Sequence, residues 1–128
     1  MTPYRDPSRL TLIDDDPRML RVLTLLLETE GFDIRGFTAP EIALDHLRDH
    51  GADAVITDLG MPGIDGVELC RRVRDAKGDD APPFVLHTGS AYAVRPSERS
   101  LFAAVIEKPC RLDQMLRTIR TACSTRPR

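Results

Sequence analysis

Four positions carry side chains able to handle a phosphoryl group, and each closes a short apolar run. Leu10 to Ile13 stops at Asp14-Asp15-Asp16. Ala54 to Thr57 stops at Asp58. Pro83 to His87 stops at Thr88-Gly89-Ser90, and Ala103 to Ile106 stops at Glu107-Lys108-Pro109. The runs are β-branched and too short for helices, so they read as buried parallel strands. In an open parallel sheet the carboxyl ends of the strands lie along one edge, where ligands bind. Carboxylates crowded at that edge repel one another. A hard divalent cation such as magnesium relieves the repulsion and prefers oxygen ligands. Lys108 adds a point charge and Thr88 a hydroxyl, both suited to phosphoryl oxygens. Asp58 leads into the Gly- and Pro-rich loop Gly60-Met61-Pro62-Gly63, so it is the candidate nucleophile, placed where the chain turns sharply.

The intervening elements must hold those ends in place. Pro17 opens a helix capped by Asp16, with Met19, Leu20, Leu23, Leu26 and Leu27 at helical spacing, and Gly31 closes it. Phe32 to Phe37 reads as a strand, and Thr38-Ala39-Pro40-Glu41 as a capping box before a helix with Ala43, Leu44 and Leu47 inward. After the Asp58 loop, Val67, Leu69, Cys70 and Val73 line a helix that fades at Lys77-Gly78. Ala91 to Ser100 falls where alternation demands a helix, but Pro96 interrupts it. A final helix from about Arg111 to Cys123 buries Leu112, Met115, Leu116, Ile119 and Cys123. Strand and helix alternate about five times, so the fold class is α/β with a parallel, helix-covered sheet.

Composition fits one soluble domain. The chain has 128 residues, 41% of them hydrophobic and 30% charged, with a net charge of −2. That charge argues against nonspecific binding to nucleic acid or an anionic membrane. Cys70, Cys110 and Cys123 are dispersed and odd in number, which points to apolar fillers in a reducing cytoplasm. The polar stretch Met1 to Arg9 holds no apolar signal core, and no run is long enough to span a bilayer. His46 and His50 share a helix face at metal-like spacing but lack a third ligand, so they read as solvated. His87 reads as a satisfied or surface imidazole, and Tyr92 as a half-buried ring.

The set Asp14-Asp15, Asp58, Thr88 and Lys108-Pro109, with the loop Asp58 to Gly66, resembles the receiver domain of two-component response regulators. The resemblance runs from about Leu10 to Cys123, so residues 1–9 read as a lead-in, 10–123 as the receiver and 124–128 as a tail. It implies a flavodoxin-like, doubly wound five-stranded sheet with helices on both faces. It also implies that a sensor histidine kinase or histidine phosphotransfer protein donates a phosphoryl group to Asp58. Asp15, Asp58 and the Gly60 backbone carbonyl would bind Mg2+, with Asp14 acting through water. Thr88 and Lys108 would contact the phosphoryl oxygens and report their arrival.

The chain departs from the family at Val105, where receivers usually carry Tyr or Phe three residues before the lysine. With the interrupted Ala91–Ser100 stretch and Tyr92, this resembles a subgroup of atypical single-domain receivers whose fourth helix is degraded. The expected output is contact with an unidentified downstream protein, or a phosphate sink, without direct binding to nucleic acid or membrane. The expectation is a phosphoacceptor rather than an enzyme. An aspartyl-phosphate phosphatase would want a second Asp where Gly60 stands, and a phosphorylation-independent scaffold would have no need of the full acidic set.

Overall fold

The computed structural model describes residues 8–125. Five parallel strands, β1 (Arg9–Ile13), β2 (Asp33–Phe37), β3 (Ala54–Thr57), β4 (Phe84–Thr88) and β5 (Ala104–Glu107), form one sheet in the order β2-β1-β3-β4-β5. Helices α1 (Pro17–Thr29), α2 (Pro40–Asp49), α3 (Gly66–Lys77) and α5 (Leu112–Ser124) make the crossovers, and α4 (Pro96–Arg99) is a single turn. The sheet is doubly wound, as expected. Leu23 and Leu27 of α1 and Met115, Leu116 and Ile119 of α5 pack on Leu10, Leu12, Ile56 and Val85. On the other face, Leu44 and Leu47 of α2 and Leu69, Cys70 and Val73 of α3 pack on Ile13, Val55, Phe84 and Leu86. The central strand β3 is buried at every residue, which explains its unbroken apolar run.

Several local expectations need correction. The capping box at Thr38–Glu41 does not form: α2 starts with Pro40, and its N-cap Ala39 has no side-chain hydrogen bond. Pro40 fixes the first helical position and holds the residue before it extended. Glu41 instead turns its carboxylate onto Gly63. The Ala91–Ser100 stretch is not one helix but a 3-10 turn, Ala91–Ala93, followed by α4. Pro96 sits at the first position of α4, and Arg95 before it is extended. β1 begins at Arg9, within the expected lead-in, and α5 continues through Ser124 into the expected tail. The rest of the lead-in, residues 1–7, and of the tail, 126–128, lies outside the described residues. Tyr92 is 87% exposed rather than half-buried, because the 3-10 turn carries it outside both core layers.

Candidate functional site

The sheet ladder runs one residue past three strand ends and thereby fixes the site. The Asp14 N–H donates to the Phe37 carbonyl, the Asp58 N–H to Ile13 at 3.0 Å, and the Lys108 N–H to Thr88 at 2.9 Å. Asp14, Asp58 and Lys108 are thus held by backbone bonds to neighbouring strands. The Lys108 ammonium bridges the two acids, donating to Asp14 Oδ2 at 2.9 Å and to Asp58 Oδ2 at 3.0 Å. The remaining oxygens are also engaged: Asp14 Oδ1 accepts from the Asp16 N–H and Asp58 Oδ1 from the Leu59 N–H. Asp14 is buried, Asp58 half-buried and Asp15 exposed. Each of the three offers a carboxylate oxygen within 4.8 Å of the others. Lys108 is itself partly buried. Burial alone would lower its pKa, but the hydrogen bonds it donates to Asp14 and Asp58 and the charges on those two acids outweigh that and raise it. The ammonium stays charged between two carboxylates.

Thr88 is buried at the end of β4, and its hydroxyl accepts the Ser90 N–H at 3.1 Å. Gly60 is exposed two residues after Asp58, and its carbonyl accepts no hydrogen bond among the described residues. The structure therefore brings Asp14, Asp15, Asp58 and Lys108 into one cluster, with Thr88 at the neighbouring end of β4 and Gly60 on the loop after β3. Val105 lies on β5 packed against the α2/α3 layer, with no ring or hydroxyl to couple to Thr88.

Two supports were not anticipated. Thr57, fully buried, donates its hydroxyl to the Asp58 carbonyl at 2.9 Å. Gly66 begins α3 so close beneath Asp58 that a Cβ there would collide with the Asp58 carbonyl oxygen. A threonine ending an aliphatic strand and a glycine opening a helix were the available signals. His87 also differs from expectation. It is 4% exposed, and among the described residues nothing hydrogen-bonds its ring. It lines a small cavity with Asp14, Asp58, Leu20 and Leu23. Burial, then the Lys108 charge, lowers its pKa.

An open parallel α/β sheet with three acids and a lysine at its carboxyl edge defines a receiver-type fold. The response regulator receiver domain model matches residues 10–120, and the chain belongs to that family. Among curated relatives, the transcriptional regulatory protein FixJ of Bradyrhizobium diazoefficiens is 33% identical over 118 residues, 90% of this chain and 56% of its own. The DNA-binding response regulator MtrA of Mycolicibacterium smegmatis is 35% identical over 87 residues, 68% of this chain and 37% of its own. The chain thus spans about half the length of the curated relatives it matches. The crystal structure of FixJ-N superposes with a TM-score of 0.86 at 25% identity, covering 98% of this chain and 99% of that one. The response regulator TrrA of Thermotoga maritima, solved with Mg2+ and BeF, gives 0.82 at 25% identity, over 90% and 98% of the two chains. Residues 10–120 are a receiver domain of two-component signalling. Among the described residues no helix is long and apolar enough to cross a membrane.

Proposed function

We propose that Asp58 accepts a phosphoryl group from the phosphohistidine of a sensor kinase or phosphotransfer protein. The observation that carries this reading is the Lys108 ammonium bonded to both Asp14 and Asp58 at the strand ends. An Asp58 carboxylate oxygen bonds to phosphorus as the bond from phosphorus to the donor's imidazole nitrogen breaks. Lys108 and the Thr88 hydroxyl then donate to the phosphoryl oxygens: the ammonium has a third N–H beside the two given to Asp14 and Asp58, and the hydroxyl, here an acceptor, has its own O–H to give. The carboxylates of Asp14, Asp15 and Asp58 are hard oxygen donors close enough to share a small divalent cation. Asp15, Asp58 and the Gly60 carbonyl would hold Mg2+, with Asp14 acting through water. Bound there, Mg2+ would neutralise charge on the transferring group. The domain assists its own phosphorylation and dephosphorylation rather than turning over a separate substrate. It signals by protein contact or drains phosphoryl groups from the relay.

Acetyl or carbamoyl phosphate with Mg2+, followed by intact mass, tests the assignment. The wild type should gain one phosphoryl group and Asp58→Asn none. Equal labelling of the two would remove Asp58 as acceptor.

A further inference from the structure

At the opposite end of the strands from Asp58, where β1 and β2 begin and α2 ends, lies a cavity of about 90 Å³. Arg9, Thr11, Asp33, Arg35, His46 and His50 line it. Along β1, Leu10 and Leu12 enter the α1/α5 layer and Ile13 the opposite one, so Thr11 faces α2. Thr11 is 1% exposed, yet among the described residues its hydroxyl has no hydrogen-bond partner. Buried hydroxyls normally have one, and this one borders the cavity.

The charges there favour one sign of ligand. Among the described residues the Arg9 guanidinium makes no ion pair; its hydrogen bonds are made by the backbone, whose N–H donates to Asp53 Oδ2 at 2.7 Å and whose carbonyl accepts the Asp53 N–H. Asp33 is already held by Arg35 at 3.0 Å, which leaves further guanidinium N–H groups to donate. His46 is half-buried, not solvated, with Phe37 on one side and the parallel His50 ring 4.5 Å away on the other. His50 Nδ1 lies 3.1 Å from the His46 carbonyl and so covers an oxygen at the negative end of α2. Burial lowers the pKa of His46, and the charges of His50, Arg35 and Arg9 lower it further, against Asp49 alone. A cation between the two imidazoles would meet both guanidinium groups. Among the described residues no third His, Cys or acidic ligand converges with them. An anion would gain from both guanidinium groups and from the Thr11 hydroxyl, and the one carboxylate in the lining, Asp33, is already paired with Arg35. Guanidinium groups match the geometry of tetrahedral oxyanions. The volume is far below the roughly 300 Å³ of pockets that hold drug-sized ligands, which favours a free ion over a bulky ester.

We propose that this cavity binds a small tetrahedral oxyanion, of the phosphate and sulfate class, through Arg9, Arg35 and the Thr11 hydroxyl, with His46 closing one side. The site is separate from the Asp58 cluster and does not depend on its role.

The experiment is an amide NMR titration of the full chain with sodium phosphate, against sodium chloride at matched ionic strength. Saturable shifts at Thr11, His46 and Gly51, with a rise in Tm, are expected. Arg9→Gln, at an exposed position, should fold normally and bind about tenfold more weakly, the loss of one charged hydrogen bond. Thr11→Val should also weaken binding, whereas Asp58→Asn should not. Adenosine monophosphate should fail to compete, which separates the free ion from the same group on a nucleotide. Shifts matched by chloride, confined to Thr88 and Lys108, or unchanged in Arg9→Gln would overturn the proposal. Saturation by zinc without saturation by phosphate would replace it with a two-histidine metal site.

Discussion

At the scale of single residues, Lys108 holds Asp14 and Asp58 together. Its side chain is only 20% exposed and its ammonium bonds to both, so removing it leaves two adjacent carboxylates uncompensated in a poorly solvated place. Lys108→Met should cost about 1–3 kcal/mol of stability without Mg2+. If the cation binds the same carboxylates, Mg2+ should restore part of that loss, through the linkage of binding to folding. Thermal melts with and without Mg2+ decide it; no recovery would mean that the acids do not bind the ion. His87 gives a pH dependence. Its folded pKa lies below the ordinary 6.5, mainly through burial, so the native state binds fewer protons than the unfolded chain. Stability is complete above that ordinary value and is lost as pH falls below it. From about pH 7.5 to about pH 5.5, where most carboxylates stay ionised, His87→Leu should lose less stability than the wild type. Denaturant melts at the two values check this, and parallel losses would contradict it. Most of the site was legible because each acting side chain directly ends an apolar run. His87 was misread because its type is equally common in wet and dry settings, and only the packing of α1 and α5 over β4 makes it dry.

At the scale of elements, the strands follow from short apolar runs and the four full helices from a period of 3.6, with Gly and Pro at their ends, whereas the doubly wound arrangement of the sheet came with the family resemblance. The misreadings fall where local rules compete. A capping box and an N1 proline both fit Thr38 to Glu41, and the proline determined the start of α2. Between β4 and β5 the demand for a crossover met too few apolar residues, and the chain formed two separate turns. Neither turn buries a residue, so little burial offsets the entropy of ordering them. The Thr88 hydroxyl accepts the Ser90 N–H at the entry to this stretch. If Thr88 turns to a phosphoryl group, that bond is given up and the stretch is freed to move, with Val105 following only by repacking. Hydrogen exchange with and without beryllofluoride and Mg2+ should show fast exchange over Ala91 to Ser100 that changes on adding the mimic. Slow, unchanged exchange there would refute both parts.

At the scale of the whole molecule, the two core layers leave an apolar surface on the helix that starts at the Asp58 edge of the sheet. Helix α1 starts directly after Asp14-Asp15-Asp16, turns Leu23 and Leu27 inward, and leaves Val22 52%, Leu25 60% and Leu26 39% exposed. Leu25 also borders an open groove with Pro17, Leu20, Arg21 and Thr24. Large aliphatic side chains grouped on one exposed helix face mark a site of protein contact. A partner that brings a phosphohistidine to Asp58 must approach the strand-end edge, and the face of α1 lies beside that approach. Acetyl phosphate needs no such face. Leu25→Asp should therefore leave labelling by acetyl phosphate unchanged. It should also leave stability within about 0.5 kcal/mol, as for most surface substitutions. Phosphotransfer from the cognate kinase should slow by about tenfold or more, the cost of placing a charge against an apolar contact. Measured side by side, an equal loss with both donors would show damage to the site itself. No loss with the kinase would move the docking surface off α1.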